Sequence, residues 1–370
     1  MREGFRSAAG YVVGVDGGGS KVACLVAEDT GRLCGYGRAG PVNTNYVERP
    51  LAVEALRRAV RTALEAGGLL GATIETLCIS APIAPETVDE ALAELTIRRV
   101  IHAAEGETPR WAAHYWAGMH VGVTVDAGTG SIARGWTPDG HQAGAGGWGA
   151  TLGDEGSGYW IGLQAMRAIC EAQDGRSEET ALAQLVFEHL GFRDVWDMVF
   201  QVSYGMVRPT EADAPARVGP DSGAERTRSG LVVRKPKDVH SPMLRHEVAA
   251  VCPLVVRAAQ EGDRVARRIL VAAGHELGRL AVAVIKRLYM TPEAFAVVPF
   301  GGVFKAGELV LGSFRETITA AAPNAQVVLP RFEPVVGAVL LALDDLGITI
   351  DWPILEAIEQ SSGRFPGCRT

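Results

Sequence analysis

Two short stretches of this sequence combine an acidic residue with closely spaced glycines, a composition suited to holding phosphate. The first covers residues 16–21 (DGGGSK) and the second covers residues 126–131 (DAGTGS). Glycine lets backbone amides approach phosphate oxygens with no Cβ in the way, and a carboxylate can hold Mg²⁺ through water. We therefore predict that Asp16 and Asp126 bind a metal ion. The predicted phosphate-binding residues are Gly17, Gly18, Gly19, Ser20, Lys21, Gly128, Thr129, Gly130 and Ser131.

Either stretch alone could also be an ordinary glycine-rich hairpin whose turn carries an acidic residue. The first stretch is neither a Walker A loop, which needs GKS or GKT leading into a helix, nor a GxGxxG fingerprint, which needs a helix after the glycines. Each stretch follows a short apolar run of strand character. The repeated context favours one shared phosphate ligand over two unrelated hairpins.

A third stretch, residues 144–162 (GAGGWGATLGDEGSGYWIG), is dense in glycine just before a predicted helix. Glycine at this density is costly unless a ligand or close contact needs the bare backbone. Asp154 and Glu155 could accept hydrogen bonds from sugar hydroxyls, and Trp148 offers a flat apolar face. The alternative is structural, because acidic residues before a helix complement its dipole and a tryptophan can fill a core.

A fourth feature is the pair Gly301 and Gly302, which follows a predicted strand and precedes a predicted helix. A turn of bare backbone can let an adenine ring and ribose lie against it. A plain strand-to-helix connection is the alternative for this short signal.

The elements that must position these stretches alternate between strand and helix patterns, which favours an α/β fold. In the first half, strands are predicted at 11–15, 21–27, 31–38, 74–80 and 98–102, and helices at 51–66, 86–95 and 111–117. A strand, an acidic residue and a glycine turn then recur from residue 121, which indicates an internal duplication with the two turns facing across a cleft. The second half is mostly helical, with helices at 158–171, 178–190, 244–260 and 263–288 and a strand at 294–298.

The length of 370 residues exceeds one hydrophobic core and predicts two lobes. We place an N-terminal lobe at 1–118, a C-terminal lobe at 119–346 and a tail at 347–370. Residues 209–242 are polar and rich in proline and glycine, which predicts a mobile insertion. A net charge of −7 makes nucleic acid and membranes poor partners and favours a small-molecule ligand.

The six cysteines are scattered, with no CxxC pair and no histidine at zinc-ligand spacing beside them. They are typical of buried thiols in a reducing compartment. The first ten residues hold charges but no apolar run like that of a secretory signal, and no uncharged run reaches membrane-spanning length. We expect a cytoplasmic protein.

Together the four stretches resemble the BadF/BadG/BcrA/BcrD ATPase family, and within it the N-acetylglucosamine kinase branch, over residues 11–346. The most specific piece is GGWGATLGDEGSGYWIG. The resemblance implies a two-lobed actin-like ATPase fold, ribonuclease H-like, with duplicated βββαβαβα domains and a central cleft. It also implies a kinase that uses ATP and Mg²⁺ to phosphorylate an amino sugar such as N-acetylglucosamine or glucosamine, and a homodimer.

The resemblance further implies roles for individual residues. In GPVNTNY, Asn43 is similar to the sugar-binding asparagine of the family, with Asn45 as a second choice. The other implied contacts are Thr129 with ATP, Gly301 and Gly302 with adenosine, Asp16 with the metal ion, and Trp148, Gly149 and Asp154 with the sugar.

Two positions depart from the sugar kinases of the family. Those kinases carry a catalytic aspartate shortly after the strand equivalent to 98–102, whereas this chain has Glu105 and Glu107 there. The extra methylene moves a carboxylate by about 1 Å, and a displacement of that size can cost ~100-fold in rate. Asp126 is the second departure, because the sugar kinases often carry an apolar residue there, whereas actin-like and activator ATPases carry aspartate. An acid at this position could order a water molecule for ATP hydrolysis without a sugar.

Two other functions use the same fold. One is an activator ATPase that couples ATP hydrolysis to electron transfer through an iron-sulfur cluster. Cluster ligation needs cysteines in a cleft-facing loop, and Cys170 lies in a predicted apolar helix with Cys252 far beyond it. The other is a nucleotide-gated regulatory module that closes on ATP without turnover. Turnover with a panel of sugars separates this module from an enzyme.

Overall fold

The computed structural model describes residues 10–204 and 243–370. The predicted insertion at 209–242 therefore lies outside the described residues. The chain divides into two compact units, the first formed by the residues up to 160 together with 271–370 and the second by residues 161–270. Both β-sheets lie in the first unit, as do the four glycine-rich features except for residues 161–162 of the third stretch, which belong to the second unit. The lobe boundaries predicted at 118 and 346 stay a prediction.

The first sheet is mixed and has the strand order β3-β2-β1-β4-β5. Its first three strands form an antiparallel meander, and β4 and β5 run parallel to β1. Alternating or continuous apolar residues give the first four strands a buried face, whereas the edge strand, the fifth, is only partly buried. The strands are β1 Tyr11–Gly17, β2 Val22–Glu28, β3 Leu33–Ala39, β4 Ile74–Ser80 and β5 Ile97–His102.

The second sheet repeats this topology with the order β10-β9-β6-β7-β8. An antiparallel meander again comes first, the next strand pairs in parallel with the leading strand, and the last strand pairs in parallel with that one. The strands are β6 Val121–Ala127, β7 Ser131–Trp136, β8 Gln142–Gly146, β9 Ala296–Phe300 and β10 Gln326–Val327. The duplicated α/β architecture predicted from the sequence is therefore confirmed. The strand β8, which the glycine-rich stretch 144–162 partly supplies, was not predicted.

The described ranges contain twelve α-helices. Helices α5 to α8 lie wholly in the second unit, whereas α4 and α9 each have one end in the first. The helices are α1 Arg49–Ala66, α2 Pro85–Leu92, α3 Glu107–His114, α4 Gly158–Gln173, α5 Leu182–Leu190, α6 Val195–Tyr204, α7 Arg245–Ala249, α8 Cys252–Gln260, α9 Arg264–Arg287, α10 Glu308–Ala321, α11 Pro334–Asp345 and α12 Trp352–Ser362.

Two helices, α3 and α11, lie between the sheets of the first unit. Helix α11 packs on β1, β2 and β4, and α3 packs on α11 and on β6 and β9. Their close approach needs glycine, because a Cβ on Gly337 would stand 1.8 Å from the Thr108 carbonyl oxygen. Helix α12 adds Ile354, Leu355 and Ile358 to the core of the first sheet. Helix α3 starts near the carboxyl end of β1, because Thr108 in its first turn donates a hydrogen bond to Asp16.

Some predicted helix bounds were wrong for local reasons. The helix predicted at 111–117 begins at Glu107, and the helix predicted at 178–190 begins at Leu182. The single helix predicted at 244–260 is two helices, because Pro253 lacks an amide hydrogen and its ring would clash with a preceding carbonyl inside a continuous helix. Proline is tolerated in a first turn, and α8 starts there. Along the described ranges, no helix combines the length and apolar character that a membrane span requires.

Candidate functional site

The two glycine turns meet at their tips. The hydroxyl oxygens Ser20 Oγ and Thr129 Oγ1 lie 3.0 Å apart, although 109 residues separate them in the chain. The metal-binding candidates stand one residue before the ends of the leading strands, Asp16 in β1 and Asp126 in β6. The structure thus brings both predicted phosphate turns, and both predicted metal ligands, to one place between the sheets.

The first turn is shaped by hydrogen bonds that leave one side of its backbone open. Inside the turn, the Gly18 amide donates to the Lys21 carbonyl oxygen at 2.9 Å. The amides of Val42 and Asn43 donate to the Gly18 carbonyl oxygen at 3.1 and 3.3 Å. A Cβ placed on Gly18 would meet no atom within 4 Å, so there is room for a ligand against this residue.

The second turn has a similar open side and a different support. The Gly128 amide donates to the Gly130 carbonyl oxygen at 3.0 Å, and a Cβ on Gly128 would also meet nothing within 4 Å. The start of α4 holds this turn, because the Gly158 amide donates to the Gly128 carbonyl oxygen at 2.8 Å. The Tyr159 amide likewise donates to the Thr129 carbonyl oxygen at 3.3 Å.

Ser131, at the end of the second turn, makes two further bonds to the segment before α4. Its amide donates to Asp154 Oδ1 at 3.1 Å, and its hydroxyl donates to the Glu155 carbonyl oxygen at 2.8 Å. Asp154 is only 2% exposed. The sequence predicted Asp154 as a sugar contact, and the structure adds a direct contact with the phosphate turn.

The Asp16 carboxyl group is held in a setting that disfavours its charge. Burial, with the nearby Asp126 carboxylate as the next cause, raises the pKa of Asp16 to about 7. Two neighbours act the other way, because the Lys21 ammonium group attracts the carboxylate and Thr108 Oγ1 donates a hydrogen bond to Asp16 Oδ1 at 3.2 Å. A buried carboxylate beside a second one is suited to receiving a cation.

Asp126 has a similar environment with different neighbours. Burial, followed by the charge of Glu333 and then that of Glu105, raises the pKa of Asp126 to about 6, while Lys21 again opposes the shift. Glu333 stands at the N-cap position of α11 and pairs with Lys305, whose Nζ lies 3.0 Å from Glu333 Oε1. The charges of Glu333, Glu105 and Lys21 therefore all act on the Asp126 carboxyl group.

Thr108, Lys305 and Glu333 are residues of this site that the sequence did not predict. Thr108 lies in α3, and Glu333 immediately precedes α11, far along the chain from both turns. Of these three residues, only Lys305 lies close in the sequence to a predicted feature, because it follows the Gly301–Gly302 pair by three residues.

The carboxylates of Asp16 and Asp126 fit a magnesium ion that water and phosphate also bind. Carboxylate oxygen is the hard ligand that Mg²⁺ prefers, and a cation would relieve the repulsion between Asp16 and Asp126. Over residues 10–204 and 243–370, no three His, Cys, Asp or Glu side chains are grouped to hold a metal ion. A magnesium ion here would therefore take its remaining ligands from water and phosphate.

The two candidate bases differ in their partners. Glu105 is 58% exposed at its side chain and forms an ion pair with Arg134 of β7. Its charge also acts on Asp126. Glu107 lies in the first turn of α3, where its Oε2 accepts the Ala104 amide at 2.9 Å. The charge of Glu105 therefore acts on the Asp126 carboxyl group of the second turn, whereas Glu107 stabilises the start of α3.

The predicted sugar contacts flank the turns. Asn43 is buried, its Oδ1 accepts the Asn45 amide at 3.0 Å, and its own amide binds the first turn. Asn45 is exposed. Trp148 is 75% exposed, which excludes the core role considered from the sequence. Gly149 has a φ of +82° with open space where a Cβ would stand.

The predicted adenosine turn lies beside the second glycine turn. Gly301 has a φ of +99°, and a Cβ there would stand 2.4 Å from the Ala127 carbonyl oxygen, so only glycine fits. This contact follows from the pairing of β6 with β9, in which Asp126 stands opposite Phe300. A Cβ on Gly302 would meet no atom within 4 Å, which leaves its backbone open to a ligand.

Comparisons with known proteins find matches along most of the chain. The sequence model of the BadF/BadG/BcrA/BcrD ATPase family matches residues 13–342. An N-acetylmuramic acid/N-acetylglucosamine kinase of Clostridium acetobutylicum is 27% identical over 338 residues, which cover 90% of this chain and 98% of that protein. An N-acetyl-D-glucosamine kinase of Dictyostelium discoideum is 26% identical over 349 residues, with 90% and 97% covered.

Two solved structures share the fold. A candidate N-acetylglucosamine kinase from Chromobacterium violaceum superposes with a TM-score of 0.64 at 24% identity, covering 90% of this chain and 98% of that one. A ROK family glucokinase from Streptomyces griseus, solved with glucose and AMPPNP, has a TM-score of 0.53 at 17% identity, with 90% and 100% covered. These likenesses show the actin-like ATPase fold that the sequence predicted.

Proposed function

This chain belongs to the BadF/BadG/BcrA/BcrD ATPase family, and we propose that it is a kinase that transfers a phosphoryl group from ATP to a hydroxyl of an amino sugar. The observation that carries the proposal is the meeting of the two glycine turns at Ser20 and Thr129. N-acetylglucosamine and glucosamine are the preferred acceptors, which the names of the curated relatives support.

The triphosphate is proposed to lie along the open sides of Gly18 and Gly128. Both turns would donate backbone amides, and the Ser20 and Thr129 hydroxyls would separate to bind phosphate oxygens. Lys21 would add a point charge near the same oxygens. Adenosine would lie against the backbone of Gly302, next to the second turn.

Asp16 and Asp126 would hold the magnesium ion, with Thr108 orienting the Asp16 carboxylate. The ion supplies neutralisation of charge that develops on the phosphate oxygens during transfer. In return, a positive charge at this position relieves the repulsion between the two buried carboxylates. These residues therefore bind and orient rather than react.

The sugar is proposed to lie beside Asn43, whose amide binds the first turn. Trp148 and Gly149 would lie on the other side of the sugar, and Asn45 would be a second amide contact. Glu105 would accept the proton of the attacking hydroxyl, and Arg134 would hold that carboxylate in place. Glu107 is the alternative base. In-line transfer then depends mainly on placement of the two substrates.

A coupled assay of ADP release tests the proposal across N-acetylglucosamine, glucosamine, N-acetylmuramic acid and glucose. We expect at least one amino sugar to stimulate release, and Glu105→Gln to lose most of that stimulation. Glu65→Gln is the matched control, because Glu65 is also exposed and paired with an arginine, Arg61, on α1. Wild-type protein that releases no additional ADP with any sugar would contradict the proposal.

The homodimer, the cytoplasmic location and the independence from nucleic acid and membranes are kept as predictions. The mass of the protein in solution tests the first of them directly. A mass equal to that of one chain at micromolar protein concentration would contradict the prediction of a homodimer.

A further inference from the structure

Four hydrogen bonds fasten the second glycine turn to the anchor segment, residues 154–159. The Ser131 amide and hydroxyl donate to Asp154 Oδ1 and to the Glu155 carbonyl oxygen. The amides of Gly158 and Tyr159 donate to the carbonyl oxygens of the turn at 2.8 and 3.3 Å. Of the four acceptors, only Asp154 Oδ1 belongs to a side chain. Within the anchor segment, the Asp154 carboxylate is therefore the group of this attachment that a substitution can remove.

The anchor segment is itself fixed in an unusual backbone conformation. Asp154 has a φ of +62°, a left-handed value that residues other than glycine adopt rarely. Gly156 has a φ of +76°, and a Cβ there would stand 2.6 Å from the Ala273 carbonyl oxygen of α9. Packing against α9 therefore holds the segment in place, and the segment in turn holds the Asp154 carboxylate against Ser131.

We infer that Asp154 is a positioning residue for the nucleotide, whose carboxylate holds the second glycine turn in its phosphate-binding shape. The inference deepens the proposed function and rests on it for the identity of the ligand, a nucleoside triphosphate. It adds a role to the sugar contact that the family resemblance implies. Trp148 and Gly149 lie a few residues earlier in the same stretch, so the sugar side of the site is continuous with this support.

A buried amide without an acceptor costs free energy. Ser131 is buried, and its amide would lose its partner if the carboxylate were removed. The turn would then relax toward another conformation, and part of the binding energy of the nucleotide would be used to restore it. Asparagine carries the same oxygen at the same position and can accept the same hydrogen bond.

The test is nucleotide binding in the absence of sugar. A nonhydrolysable ATP analogue with Mg²⁺ is titrated calorimetrically into wild type, Asp154→Ala and Asp154→Asn. We expect roughly tenfold weaker binding by Asp154→Ala, the change that about 1.4 kcal/mol produces. Asp154→Asn should stay within about threefold of wild type.

The matched control is Asp197→Ala. Asp197 is also 2% exposed and also accepts a backbone amide, that of Arg193 at 3.1 Å, but it lies in α6 of the second unit. Its removal should lower thermal stability and leave the affinity for the analogue unchanged. Loss of affinity in this control would attribute the Asp154→Ala effect to general destabilisation and overturn the inference.

Other outcomes also decide the matter. The Asp154→Ala variant could bind the analogue as tightly as wild type and show only a raised KM for sugar. Asp154 would then be a sugar contact with no role in positioning the nucleotide. Equal losses in the alanine and asparagine variants would overturn the inference, as would a wild-type protein that binds no analogue. If wild type binds the analogue but phosphorylates no sugar, the proposed function fails and the inference stands.

If the alanine variant does not fold, amide exchange in Asp154→Asn decides instead. Protection of the Ser131 amide equal to that of wild type, together with near-normal affinity, supports the inference. Faster exchange at Ser131 without any loss of affinity would show that the turn binds nucleotide without this support.

Discussion

The two glycine turns occupy equivalent places in equivalent sheets, and yet different parts of the chain hold them. The first turn receives amides from Val42 and Asn43, in the connection between β3 and α1. The second turn is bonded to the anchor segment at the start of α4, including the Asp154 carboxylate. The duplication has kept the strands and the position of the acidic residue, whereas each half has acquired its own support.

The supports themselves share one property, which the comparison brings out. Each contains a residue that the family resemblance assigns to the sugar, Asn43 in the first and Asp154 in the second. A segment that both holds a phosphate turn and contacts the acceptor can adjust one substrate's site when the other binds. We therefore regard the supports, rather than the turns, as the regions where the two halves have become specialised.

The largest expected effect tests whether the two aspartates act together. Asp16→Asn should lower kcat/KM for ATP on the order of 10³-fold, because a neutral amide cannot offset the charge of the metal ion. Asp126→Asn should lower it by a comparable factor if both turns serve one ion. Steady-state kinetics at saturating sugar measures both changes. An Asp126→Asn variant with normal activity would break the equivalence of the turns.

The next effect concerns the base that follows β5 in the first half. Glu105→Gln should lower kcat by about 100-fold with little change in the KM for ATP, because the hydroxyl loses its proton acceptor. Glu107→Gln should lower kcat only a few-fold, since glutamine can still accept the Ala104 amide. The reverse order in single-turnover rates would assign catalysis to Glu107.

The two aspartates should also destabilise the ligand-free fold to different degrees. The pKa of Asp16 is raised from 3.8 to about 7 and that of Asp126 to about 6, so the folded protein binds these protons more tightly than the unfolded chain does. Their contribution to stability is therefore greatest below about pH 4 and falls as pH rises through the folded values. At pH 8 both carboxylates are charged and unfavourable.

Asp16→Asn should consequently raise the free energy of unfolding at pH 8, without nucleotide or metal, by roughly 1–3 kcal/mol. Asp126→Asn should raise it by less, because its pKa is less shifted. Urea unfolding at pH 8 and pH 5 measures the difference, and the gain should shrink at the lower pH. A gain that is equal at the two pH values would refute the electrostatic explanation.

Part of the fold and of the candidate site could be predicted from the sequence. Short apolar runs ending in Asp16 and Asp126 predicted the leading strands, the duplication and the meeting of the turns, because these signals are local and occur twice. Thr108 and Glu333 were missed because α3 and α11 bring them to the site only through packing between the sheets. The role of Asp154 as a hydrogen-bond acceptor for Ser131 was missed for a similar reason, since a left-handed aspartate has no sequence pattern of its own.

The smallest expected effect tests the open side of each turn separately. Neither Gly18 nor Gly128 has a left-handed φ, and a Cβ on either would meet nothing within 4 Å, so alanine should not disturb the ligand-free fold. The added methyl group would stand where phosphate is proposed to lie, and we expect Gly18→Ala and Gly128→Ala each to raise the KM for ATP about tenfold.

Gly363→Ala is the matched control, because Gly363 has the same open surroundings and an ordinary φ but lies at the end of α12. All three substitutions should leave the free energy of unfolding unchanged or raise it by less than about 1 kcal/mol, since alanine restricts the unfolded chain. If only Gly18→Ala raised the KM for ATP, the second turn would share the backbone shape of the first turn but would not contact phosphate. The two halves would then differ in ligand binding as well as in their supports.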